Sequence, residues 1–260
     1  MKKFLVLFFT ILFSASAVLA DDLKFAQVDG VFFNAYDETS INNLQKIVQD
    51  INKQKDISFV VFSGNNIFKP EKQNLAKFLK QANKLDCPYY VVLGQKDVNK
   101  RKHFGKKEYI KLVNKKAFAQ RKFKQPNFVF EKKGVVFIVA DGSKEILPMA
   151  NGYYRPEVLQ WIDETLSKYS NKNVVILQHY PVVPPAAKED YYTYKAEDYM
   201  KIISSHKNVK AVISGHFNIN KEQEVNGVMH ISTANTPKYR IIEITDCDSQ
   251  NPTFWSTIKD

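Results

Sequence analysis

The chain's 260 residues suit one large α/β domain with a sizeable core. Its 38 Lys+Arg against 27 Asp+Glu give a net charge of +11, but only four of the basic residues are Arg. A Lys-dominated, Asn-rich excess of this kind arises by codon drift in an AT-rich genome, so the charge alone does not call for a polyanionic partner. Two widely separated cysteines, Cys87 and Cys247, lend no support to a zinc site. In an exported chain they could pair, since each flanks a predicted strand, but sequence fixes no distance and the pairing stays open.

Residues 1–20 read as a targeting signal. Lys2 and Lys3 form a basic start, residues 4–13 an apolar run, and Val18-Leu19-Ala20 ends in the small residue that signal peptidase needs. The run is short for a bilayer span, and no Cys stands at the cleavage point to carry a lipid. The expected product is a single domain, residues 21–260, exported to the periplasm or beyond the cell, with no membrane anchor after cleavage. Loss of Lys2 and Lys3 takes its charge from +11 to +9.

Residues 23–33 predict a first strand with a tip at Asp29-Gly30. Residues 41–51 carry apolar side chains at 41, 44, 47, 48 and 51, a helical period, and Glu38 to Ser40 supplies the start. A doubly buried strand is expected at 57–63, then a helix opened by Pro70 and running to about 85. Residues 89–93 are a buried strand that stops at Gly94 and opens into Gln95-Lys96-Asp97. A basic helix is predicted at 106–119 and a hairpin at 127–140, closed by Lys132-Lys133-Gly134. A helix at 156–169, a strand at 173–178, a Pro- and Tyr-rich loop, a helix at 196–206 and a strand at 209–214 follow. The tail from Glu224 reads as a β meander. There is no internal repeat, low-complexity segment or linker, and the pattern suggests two sheets packed face to face with helices outside.

Five buried strands end in tips: Asp29-Gly30-Val31-Phe32, Gly64-Asn65, Gly94-Gln95-Lys96-Asp97, His179, and Gly215-His216-Phe217-Asn218. In order, spacing and framework (FAQV, FVVFSG, YYVVLG, VVILQH, ISGHF) they resemble the calcineurin-like metallophosphoesterases, whose tips read D-x-H, GD, GNH[DE], a lone His and GHxH. The resemblance covers nearly all of the chain after residue 20. It implies a four-layer α/β/β/α sandwich and, in the family, two divalent ions (Mn, Fe or Zn) that activate water for attack on phosphorus.

Residue by residue, the resemblance implies that much of that machinery is lost. The first tip has Gly30 where the ligand Asp belongs and Phe32 where the ligand His belongs. Asp29 is one place early, which in a strand turns it to the opposite face. The bridging Asp is Asn65, the metal-binding Asn is Gln95, and the catalytic His is Lys96, followed by Asp97 in the acidic place. His179 and His216 match retained metal ligands; Asn218 replaces the last. Two close divalent ions without carboxylates would repel, so the expected cofactor is none, or at most one divalent metal on His179 and His216 with Asn65 and Gln95 as weak donors. The function implied is that of a pseudoenzyme that binds a phosphorylated or anionic ligand, a protein, or an active paralogue. The alternative is an active phosphoric-ester hydrolase with a reorganised or single-metal site on His179/His216, using Lys96 and Asp97 differently.

The run at 100–124 holds eleven Lys and Arg against Glu108 alone. It reads first as a solvated helix face; its functional partners would be phosphorylated glycans, anionic lipid surfaces or free DNA. No regularly spaced aromatic platform gives a specific nucleic-acid signal. Tyr191, Tyr192 and Tyr194 read as packing on the domain's own surface.

Overall fold

The structure, a computed structural model, describes residues 22–260 except residue 121. The signal expected at 1–20 lies outside the described residues. In chain order the elements are β1 (Leu23–Val28), α1 (Glu38–Lys53), β2 (Ile57–Phe62), α2 (Lys72–Ala82), β3 (Tyr89–Val91), α3 (Lys106–Lys116), β4 (Phe128–Lys132), β5 (Val135–Ala140), α4 (Pro156–Lys168), β6 (Val174–Gln178), α5 (Ala196–Ser205), β7 (Val209–Ser214), β8 (Lys221–Val225), β9 (Val228–Ser232), β10 (Tyr239–Thr245) and β11 (Thr253–Lys259). One sheet runs β11-β10-β1-β2-β3, the other β4-β5-β6-β7-β9-β8.

Three apolar clusters fill the layers. α1, α2 and α3 pack Leu44, Ile47, Leu75, Phe78, Tyr109 and Val113 on the outer face of the first sheet. α4 and α5 place Val158, Ile162, Tyr199 and Ile203 on the outer face of the second. Between the sheets lies a core of Phe25, Phe59, Tyr90, Phe130, Phe137, Leu177 and Ile213, among others. Within it Phe25 stacks on Phe59 at 4.7 Å and Phe59 meets Phe137 edge-on at 5.0 Å, so one aromatic block spans both sheets. The expected four-layer α/β/β/α sandwich is the observed one.

Several boundaries differ from the pattern in the sequence. β1 stops at Val28, because Gly30 (φ +53°) and Phe32 (φ +46°) leave the extended region. α1 starts from Asp37, whose carboxyl accepts the N–H groups of Thr39 and Ser40. Pro70 stands before α2 rather than in its first turn. The tail is not one meander. β8 and β9 form a hairpin around Asn226-Gly227, both left-handed, and β9 joins the second sheet parallel to β7. β10 and β11 return to the first sheet, with β10 antiparallel to β1. Apolar alternation announces a strand but not which sheet receives it. Cys87 and Cys247 are both free; the first packs at the helix side of the first sheet, the second in the core between the sheets. Among the described residues, no helix is long and apolar enough to cross a membrane.

Candidate functional site

The core between the sheets turns polar at one end, and the period of two in each strand shows why. On β1 the inward face reads Leu23, Phe25, Gln27, Asp29. The same face reads Phe59, Val61, Ser63 from β2, Val175, Leu177, His179 from β6, and Ala211, Ile213, Gly215 from β7. All the polar members are buried, so they must satisfy one another. Gln27 donates to Ser63 Oγ at 3.0 Å and to the Ser214 carbonyl at 2.8 Å, and accepts from Thr233 Oγ1 at 2.6 Å. Arg240, also buried, donates to Thr233 at 3.0 Å and pairs with Glu222.

Asp29 is not turned away from the tips as its early position suggests. It faces inward with Gln27, two residues before it. Its Oδ1 accepts from Ser63 Oγ at 2.8 Å, and its Oδ2 accepts the His216 backbone N–H at 3.0 Å. A Cβ on Gly215 would fall 1.9 Å from the Asp29 carboxyl, so only glycine allows this approach. Asp29 is a brace beneath the tips. Its signal in the sequence was available: an acid continuing the inward alternation of an apolar strand.

His179 is wholly buried. Its Nδ1 lies 2.8 Å from the Ser63 carbonyl and its Nε2 3.1 Å from Gln95 Oε1. The ring packs edge-on against His216 (4.9 Å) and Tyr180 (4.8 Å). His216 is left-handed (φ +73°) and buried, and its ring approaches the Ala150 backbone without closing a well-formed hydrogen bond. Burial first, then the neighbouring His179, push its pKa down to about 2, so the ring is neutral at ordinary pH. Tyr191 lies over it at 4.6 Å, tilted by 30°, with Lys188 Nζ 3.5 Å above the Tyr191 ring. Within the tyrosine loop Tyr191 packs over His216, Tyr192 meets Phe217 and Tyr194 meets Tyr153, so the loop packs on the domain itself.

The remaining tip positions keep the backbone of a site while their side chains serve the protein itself. Asn65 (φ +51°) accepts the Lys96 N–H on Oδ1 at 3.0 Å, and Asn218 (φ +57°) accepts the Asn235 N–H at 3.0 Å. Phe32 is left-handed and half-buried. Left-handed backbone at Phe32, Asn65, His216 and Asn218 is held by tip-to-tip bonds such as Phe32 N–H to the Asn65 carbonyl at 2.8 Å. Gly30 has its place taken: a Cβ there would lie 2.1 Å from Asn235 Oδ1. Gly30→Asp is therefore expected to destabilise the fold by about 2–4 kcal/mol, from left-handed strain plus collision. Adding Asn235→Gly should recover part of the loss in a double-mutant cycle read by urea unfolding; additive effects would contradict the collision.

Lys96 is exposed at the mouth, but Asp97 is not a cleft residue. It is wholly buried, with one oxygen accepting the Gly94 N–H (2.8 Å) and Asn66 Nδ2 (3.2 Å) and the other the Ile67 N–H (3.1 Å). Burial outweighs these donors and raises its pKa to about 7. Its place is structural: it ties the second tip to the third. The cleft, about 460 Å³, is lined by Lys69, Gln95, Lys96, His103, Met149 and Tyr191, so His103 belongs to its wall. A larger hollow of about 950 Å³, bordered by Asn173, Lys207, Asn226 and Asp248, holds none of the tip residues.

Among the described residues, no three His, Cys, Asp or Glu side chains group as a metal centre. The residues present do not fit a pair of divalent ions. Asn65 and Gln95 are neutral, both Asp29 oxygens accept protein N–H or O–H groups, and the other carboxylate positions hold Gly30 and Asn65.

Similarity to known proteins agrees with the fold. A stretch of 80 residues is 32% identical to a manganese-dependent ADP-ribose/CDP-alcohol diphosphatase of Danio rerio, covering 30% of this chain and 25% of that protein. The matched stretch thus spans a quarter of the relative's length. A dimetal phosphatase from Danio rerio superimposes with a TM-score of 0.68 at 15% identity, covering 89% of this chain and 98% of that one. TT1561 of Thermus thermophilus gives 0.63 at 11% identity, with 90% and 98% covered. GAP50, described as the anchor in the inner membrane complex of Plasmodium, gives 0.61 at 14% identity, with 86% and 83% covered. Residues 37–219, from α1 to just past the fifth tip, match the pattern of the calcineurin-like phosphoesterases, and with five strand-end tips on an α/β/β/α sandwich the chain belongs to that family.

Proposed function

We propose that this chain is an exported member of the family that no longer hydrolyses phosphoesters through two metals and instead acts as a binding protein, with the Lys96 cleft taking a phosphorylated or other anionic ligand. One observation carries the reading: the ligand positions are built over. Asn235 fills the space at Gly30, the Asn65 and Asn218 oxygens accept backbone N–H groups, and Tyr191 covers His216. Lys96, at the family's catalytic His position, leaves a cation where a proton donor would act. The scaffold serves outside catalysis as well, since the Plasmodium protein that shares it is described as an anchor.

The test is a phosphoesterase assay of residues 21–260 with manganese, zinc or iron, beside calorimetric titration with a phosphomonoester and with ADP-ribose, the compound named for the Danio rerio relative. The expected result is no turnover above that of His216→Ala, with anion binding weakened at least about fivefold in Lys96→Ala, as loss of a charge-assisted contact implies. Turnover abolished by His216→Ala would overturn the reading. A second reading, one borderline ion on His179 and His216, is favoured by the two buried ring nitrogens of His216, neither held in a well-formed hydrogen bond. Zinc titration separates the two: heat at micromolar zinc that His216→Ala removes would select the single-ion site.

A further inference from the structure

Beyond the cleft's own ligand, the geometry points to a membrane-docking face: the loop at 144–151 and the exposed side of α3 together fit the surface of an anionic lipid bilayer. Single exposed apolar side chains mean little. Here Ile146, Leu147 and Met149 are 52%, 57% and 53% exposed within four positions, and Phe68, 44% exposed, lines the same cleft as Met149. The loop is pinned rather than loose. The Glu145 carbonyl accepts the Lys100 N–H at 2.6 Å and its carboxylate accepts the Lys106 N–H at 2.7 Å. These bonds place the apolar ridge between two basic hollows. One is the cleft with Lys69 and Lys96; the other, about 690 Å³, is bordered by Lys100, Lys107, Lys111 and Lys115, with His103 on the wall of both.

The lysines of α3 recur every fourth residue, at 107, 111 and 115, and so form one stripe with steps of about 6 Å. The acids among them are occupied: Glu108 pairs with Lys72 at 2.9 Å and Glu145 accepts backbone N–H groups. Glu189 and Asp190 share a hollow with Met149 and bound the face there. A soluble polyanion would use the lysines but give the apolar ridge no partner. A protein interface would be expected to exclude lysine from its centre. Apolar side chains ringed by lysine match a headgroup layer over acyl chains, where each lysine contributes roughly a fivefold gain in partition.

The experiment is co-sedimentation of residues 21–260, which contain every described element of the fold, with vesicles of phosphatidylcholine alone or with phosphatidylglycerol added. Omitting residues 1–20 removes an apolar stretch that would bind lipid by itself. Binding is expected only with phosphatidylglycerol and should fall with salt. Ile146→Asn/Leu147→Asn/Met149→Asn and Lys107→Glu/Lys111→Glu/Lys115→Glu should each weaken it roughly tenfold or more, with circular dichroism unchanged because all six side chains are exposed. Equal or absent binding to both vesicle types would overturn the proposal. So would loss in the charge variant with full binding in the apolar variant, which would leave a plain polyanion site.

Discussion

Replacing Asp29 by Ala is expected to cost the fold about 3–5 kcal/mol, which would consume much of the stability of an ordinary domain. Its carboxyl is buried and holds three groups at once: Ser63 Oγ at 2.8 Å, the His216 N–H at 3.0 Å and, at 3.4 Å, His179 Nδ1. Alanine strands the first two donors without water to take them, and each stranded donor costs about 1–3 kcal/mol. One of the two, the His216 N–H, also anchors a left-handed residue that has no glycine to ease it. Asp29→Asn keeps the shape but turns one acceptor into a donor, so about half the loss is expected. Urea unfolding measures both; a loss under about 1 kcal/mol for alanine would mean that Asp29 is not the brace its contacts describe.

The second large effect lies in the basic run. Lys106, alone among its exposed lysine neighbours, is buried: its Nζ meets Asp141 Oδ2 at 2.6 Å and the Ser143 carbonyl at 2.7 Å, with side chains only 9% and 1% exposed. Lys106→Met would leave the Asp141 carboxyl buried without its counter-charge, at a cost of about 3–5 kcal/mol. Lys106→Met with Asp141→Leu removes both charges and should restore part of the loss, the remainder reflecting the Ser143 N–H and Oγ–H that Asp141 Oδ1 accepts. Lys107→Met, one residue on and exposed, should change stability by no more than about 0.5 kcal/mol. Equal effects at 106 and 107, read from unfolding midpoints, would show the buried pair to be unimportant.

These two residues mark what was legible. The apolar runs ending in Gly64, Gly94 and Gly215 give strands and tips directly, and the helical periods of α1, α2 and α4 need no partner to be read. The loss of family ligands at Gly30, Phe32, Asn65 and Asn218 is likewise a matter of identity. What failed to read were the consequences of where chain segments return. Asp29 looked misplaced because it was read against the family's ligand position at 30, whereas the inward alternation of Leu23, Phe25 and Gln27 carries on to it. Asp97 looked like a cleft acid because its place beside Lys96 says nothing of the buried N–H groups that claim it. The Lys106–Asp141 pair went unread because its members stand 35 residues apart and Lys106 is hidden among exposed lysines.

Composition and short-range pattern thus determined the layers, the tips and the absence of the family's carboxylates, since those follow from side-chain identity and the periods of helix and strand. Only the tertiary structure decided that Asn235 fills the space at Gly30, that Tyr191 covers His216, that β8 and β9 leave the tail for the second sheet, and that an apolar ridge stands between two basic hollows. Each of these joins segments distant in sequence, and such contacts arise from packing and hydrogen-bond satisfaction over the whole core, which no local pattern carries.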